Sequence, residues 1–164
     1  MLALRFAALV ALTVWVGGLI VLGAIAAPSI FDVTAARGVA DDRVVAGAIF
    51  GEAFRRFHLL SYGCGFFLFV TLAARAMLGP RPVYLAARLI VVIAMLVAAG
   101  YSGLVLTGDI EALRADIGVA PSSLSEDDPR RVAFGRLHAL STALQLIPVL
   151  GGLALMLFEL KDSR

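Results

Sequence analysis

Four apolar stretches dominate this chain, at 6–27, 59–78, 85–107 and 137–158. Each is long enough to cross roughly 30 Å of hydrocarbon as a helix of about 20 residues. None carries an acidic residue in its interior. With 61% hydrophobic residues and a mean hydropathy of +0.96 over 164 residues, the chain has more apolar surface than a water-soluble domain can hide. The runs are too long for barrel strands, and a helix satisfies its own backbone in lipid. The sequence therefore predicts an all-α integral membrane four-helix bundle in the lipid bilayer, one transmembrane domain over 1–164. Polar loops at 28–57 and 109–136 fall on one side of it. Arg75 and Arg88 stand near the ends of their spans and are expected to snorkel to the interface.

Composition also narrows the function. The net charge of +2 comes from scattered arginines with no basic stripe, so no nucleic-acid partner is expected. The single cysteine, Cys64, lies within a span and cannot form an internal disulfide. The first 27 residues carry Arg5 before an apolar stretch, but that stretch exceeds a signal core of about 7–15 residues and is expected to be a retained helix. There is no nucleophile–base pair, phosphate loop or metalloprotease spacing, and no mid-membrane carboxylate of the kind a proton-coupled transporter uses. The expected chain is not an enzyme.

Pro28 is expected to end the first helix, and Asp41 or Asp42 to cap the second. Gly79-Pro80 and Pro82 make a tight connection to the third. Asp128-Pro129 reads as a helix start, a capping carboxylate followed by proline at the first helical position. Pro148 should free the carbonyl of Leu144 and kink the fourth helix. Four spans put both termini and the 79–84 connection on one side, with Arg5, Arg75, Arg81, Arg88, Lys161 and Arg164; the other side carries eight arginines among ten carboxylates. The connection, with three arginines and no acid near it, favours cytoplasmic termini.

Residues 54–61 read Phe-Arg-Arg-Phe-His-Leu-Leu-Ser, and residues 134–141 read Phe-Gly-Arg-Leu-His-Ala-Leu-Ser. The two octets contain both histidines of the chain, His58 and His138, 80 residues apart. A weaker echo pairs the segment from Gly18 with the segment from Gly103 at an offset of 85. Together these suggest a helical hairpin repeated twice, related by an axis along the membrane normal.

Residues three, four and seven apart share a helix face. One such stripe is His58, Ser61, Tyr62 and Gly65; its counterpart is His138, Ser141, Thr142 and Gln145. Polar stripes should face the bundle interior, where two imidazoles can converge. A b-type haem needs two axial imidazoles, clearance for a flat macrocycle and cations for its propionates. His58 and His138 could ligate it, with Ser61 and Ser141 beside them, Gly63 and Gly65 giving room, and Arg55, Arg56 and Arg136 near the propionates. A transition-metal ion held by the same histidines would want further ligands. Alternatively, both histidines are interfacial polar residues bonded to Ser61, Ser141 or lipid headgroups. Trp15-Val16-Gly17-Gly18 and Gly47-x-x-x-Gly51 read as close-packing motifs.

The segment Phe57-His58-Leu59-Leu60-Ser61-Tyr62-Gly63-Cys64-Gly65-Phe66 resembles the second helix of transmembrane protein 205 and its relatives, small four-span proteins of unassigned biochemistry. The segment Phe134 to Ser141, and Leu153-Ala154-Leu155 with Glu159, are similar to that family too. The resemblance implies a four-helix membrane protein, and the eukaryotic relative's association with tolerance of platinum drugs implies soft-metal handling. This chain has fewer cysteines and a shorter loop before the fourth helix. Trp15-Val16-Gly17-Gly18 is also similar to copper-resistance membrane proteins. The expected function is binding of haem b or a soft metal ion at His58 and His138, without catalysis. The alternatives are an accessory subunit docked to membrane-protein partners or to copies of itself, and a small metal or drug exporter.

Overall fold

The computed structural model describes residues 2–79 and 81–161. Pro80 of the expected connection and Arg164 of the terminal charge count lie outside the described residues. Four helices are long and apolar enough to cross a membrane: α1 Leu2–Ala36, α2 Asp42–Leu78, α3 Leu85–Ile117 and α4 Pro129–Lys161. The chain is an integral, multi-pass, all-α membrane protein. Each helix packs on its neighbours in a ring, α1 on α2 and α4, and α3 on α2 and α4. Leu59, Phe66, Ile90 and Leu150 point outward and stay exposed, as lipid-facing residues must. The core runs along the bundle axis through Leu12, Trp15, Leu68, Val92, Met95 and Leu155.

Helix α1 does not stop at Pro28. Its turn at Leu22–Ala26 widens to π geometry, with the Ala27 N–H donating to the Leu22 carbonyl five residues back, and the helix runs on to Ala36. A π turn is the known way for a helix to absorb a break in its ladder. Helix α3 has the same device at Ser102–Leu106, where both the Thr107 N–H and the Thr107 hydroxyl donate to the Ser102 carbonyl, the latter at 3.0 Å. The two π turns stand 80 residues apart, Leu22 to Ser102. So do Gly38 and Gly118, both left-handed after their helices, at φ 61° and 69°. The register between α1 and α3 is thus 80, the histidine offset, and the pairing at 85 is corrected. Apolar, low-complexity helices align at many offsets; backbone irregularities do not.

Helix α4 begins at Pro129 as expected, and the Asp128 carboxylate accepts the Arg130 N–H at 2.8 Å. Pro148 lies buried inside it. At α2 the expected side-chain cap does not form. Asp41 is left-handed at φ 52°, and its carbonyl, rather than its carboxylate, accepts the Val44 and Val45 N–H groups.

Arg75 and Arg88 do not snorkel. They are 6% and 1% exposed and converge on Glu159, itself 5% exposed. Arg75 Nη1 meets Glu159 Oε1 at 2.6 Å, Arg88 Nη1 pairs with the same oxygen, and Arg5 Nε reaches Oε2 at 3.3 Å. Arg88 also donates to the Val83 and Phe158 carbonyls, at 2.9 and 2.7 Å. One carboxylate from α4 thereby ties an arginine from each of the other three helices. Burying a guanidinium is costly unless it is paired and hydrogen-bonded, and here each of the three bonds Glu159.

Candidate functional site

The other end of the bundle holds the two histidines, and the repeat treats them unequally. His58 on α2 is 4% exposed. Its Nδ1 lies 3.0 Å from the Phe54 carbonyl, while Nε2 is buried with no hydrogen-bond partner among the described residues. Its ring meets Phe54 edge-on at 4.3 Å. Both His58 and Tyr62 lie against Gly103 on α3, where an added Cβ would come within 2.6 Å of the imidazole and would also collide with the Tyr62 hydroxyl. That niche is closed.

The repeat-related niche is made by His138 and Thr142 on α4 facing Gly23 on α1. Here a Cβ at Gly23 would meet nothing within 4 Å. A cavity of about 320 Å³ occupies the space. Leu19, Leu22 and Ala27 of α1 and the stacked pair Phe50 and Phe54 of α2 form its apolar walls. The polar side is His138, Ser141, Thr142 and Gln145 of α4, with Thr107, Glu111 and Arg114 of α3. Gln145 donates to the Ser102 hydroxyl at 2.9 Å, and Ser102 lies 3.3 Å from the Ser141 hydroxyl, so this wall is a linked chain. His138 stands exposed, stacked on Phe134 at 6.0 Å.

Of the residues read from the sequence as a site, His138 and Ser141 line this cavity, with Thr142 and Gln145 of the same stripe. His58 does not; Phe54, in contact with it, faces the cavity instead. Ser61 is buried beside His58 on α2, outside the lining. Arg55 and Arg56 are exposed and both bind Glu52, at 2.8 and 2.6 Å. Arg136 is exposed and away from the lining. The room expected at Gly65 is taken by Leu96 and Trp15, whereas Gly63 faces outward.

The cation that does reach the cavity is Arg114. Gly47 and Gly51 form its seat: Nη1 donates to the Gly47 carbonyl at 2.8 Å, and a Cβ at Gly47 would come within 2.9 Å of the guanidinium. The guanidinium also lies 5.5 Å from the Phe134 ring centroid, so it joins α2, α3 and α4. The close-packing reading of Gly47-x-x-x-Gly51 therefore becomes a side-chain seat. Gly18, in contrast, does admit a helix neighbour, Phe57.

No group of three or more His, Cys, Asp or Glu side chains able to hold a metal ion occurs among the described residues. No curated protein and no solved structure matches the chain. A family model described as a domain of unknown function, DUF4149, matches residues 10–118. The match takes in both π turns, His58 and Arg114, and ends before α4 with His138. Since it spans well over half of the 164 residues, the chain belongs to the DUF4149 family.

Proposed function

We propose that this protein is a non-catalytic binding protein of the membrane whose ligand, a small amphiphile, occupies the cavity at the His138 end. The observation that carries the reading is the unequal repeat: one niche is packed shut by His58 and Tyr62, and its twin is left open and lined with polar groups. The pocket opens to the outside at Gly23, His138 and Thr142, all exposed, so a molecule can enter it from the surroundings. An apolar wall of Leu19, Leu22, Phe50 and Phe54 faces a polar wall centred on Arg114, His138 and Ser141. That division suits a molecule with an apolar body and a polar head.

Haem b or a soft metal ion is the second reading, favoured by His138, whose imidazole is on the cavity. A macrocycle held by both imidazoles does not fit this arrangement, because His58 lies behind Phe54 and off the cavity; His138 alone would be the axial ligand. For an ion, the lining supplies His138 and Glu111 with hydroxyl and amide oxygens, a weak set for a soft metal. Kinship with transmembrane protein 205, with its platinum-tolerance association, would support the metal reading.

The test is protein purified from membranes, compared with Gly23→Leu, which fills the open niche. The amphiphile reading expects an organic molecule extracted near one per chain from the wild type and lost from the variant. Sharp reduced α and β bands in the visible spectrum, lost in His138→Ala, would replace it with haem; a stoichiometric metal lost in His138→Ala would replace it with the ion. Nothing bound in the wild type, or the same extract from both proteins, would contradict all three.

A further inference from the structure

The closed niche shows what shape the open one is built to hold. On α2 and α3, the Tyr62 hydroxyl and the His58 imidazole fill the space over Gly103, and the hydroxyl donates to the Ala99 carbonyl at 3.4 Å. At the repeat offset of 80, Tyr62 becomes Thr142, Gly103 becomes Gly23, and Ala99 becomes Leu19. All three counterparts line the cavity. The open niche thus keeps the bare glycine surface and the helix segment beside it, and no side chain takes the place over Gly23 that the Tyr62 hydroxyl and the His58 imidazole take over Gly103. We infer that its ligand carries a hydroxylated six-membered aromatic ring, whose hydroxyl end lies over Gly23 as the Tyr62 hydroxyl lies over Gly103.

A second observation points the same way. Phe50 and Phe54 stack on each other at 5.8 Å and 15° and both line the cavity. Aromatic rings prefer ring partners in offset or edge geometry, a preference an aliphatic chain does not satisfy. The cavity, at about 320 Å³, also has room beyond one ring for the start of an apolar tail along Leu22 and Ala27. On the same lining, the Thr142 hydroxyl, which donates to the His138 carbonyl at 3.0 Å and can still accept, and the His138 imidazole offer hydrogen-bonding groups. The ligand class is therefore an alkylated phenol or quinol.

This inference rests on the cavity being a ligand site, and the experiment separates the two. Delipidated protein in detergent is titrated with 4-decylphenol and, separately, with 1-decanol, and complexes are counted by native mass spectrometry. The expected result is a 1:1 complex with 4-decylphenol, about tenfold tighter than with the alcohol, which carries the hydroxyl but lacks the ring and its aromatic contact. Thr142→Tyr, which restores the missing side chain, should abolish it. Gly23→Leu, filling the niche from α1, provides the same test should Thr142→Tyr fail to fold. Equal binding of the alcohol would overturn the ring assignment and leave the cavity standing. No binding of either probe, or binding that survives in both variants, would overturn the cavity as well.

Discussion

Glu159 and Gly103 are the residues on which the packing of the two ends turns. Glu159 holds Arg75 and Arg88, from positions 84 and 71 residues away, in a buried cluster. Replacing it with Gln leaves guanidinium groups without their carboxylate in a site they cannot easily leave. The expected loss is about 3–5 kcal/mol, seen as a lower melting temperature in detergent; a melting temperature unchanged from the wild type would refute the cluster's role. Gly103 and Gly23 give a matched comparison. Gly103→Ala drives a methyl into His58 and Tyr62 and should cost about 1–3 kcal/mol. Gly23→Ala meets nothing within 4 Å and should be neutral or gain up to about 1 kcal/mol of helix propensity. Equal effects in the two melts would mean that the niches do not differ.

At the scale of the element, the start of α4 depends on Asp128. Its hydrogen bonds to the Arg130 side chain, then to the Arg130 N–H, hold its carboxyl below the ordinary aspartate range. A depressed folded value means that the cap contributes fully above the unfolded value near pH 4 and is lost as the pH falls through the folded one. The amide resonances of Arg130 and Arg131 should therefore titrate with a midpoint below the usual aspartate value; a midpoint at or above it would show that the cap is not formed. This helix start was legible, because a capping carboxylate before proline is a local signal. The spans were legible for the same reason, although α1 and α3 continue as helix to Ala36 and Ile117, beyond their apolar runs. The π turns were not legible. Only the first has a proline just after it, and their common offset could be read only through Gly38-Val39-Ala40 and Gly118-Val119-Ala120, a repeated tripeptide in an apparently featureless loop.

At the scale of the whole molecule, the fold is a pair of hairpins with their irregularities in register and their site contents out of balance. Half of the candidate site could be read from the octets: His138, Ser141, Thr142 and Gln145 share one face, and that face does line the cavity. The other half could not. Arg55, Arg56 and Arg136 looked closest in sequence to the histidines, yet the cation at the cavity is Arg114, brought in from α3 by a glycine seat on α2. Charge pairing and side-chain seats across four helices join residues far apart in sequence, where local pattern is silent. The difference between Tyr62 and Thr142 was visible, but its meaning required the niches to be seen. The most direct measurement is native mass spectrometry of the protein released from its own membranes, wild type beside Thr142→Tyr. Our account predicts an endogenous small-molecule adduct on the wild type and a bare chain for the variant. The same adduct on both, or none on either, would contradict it.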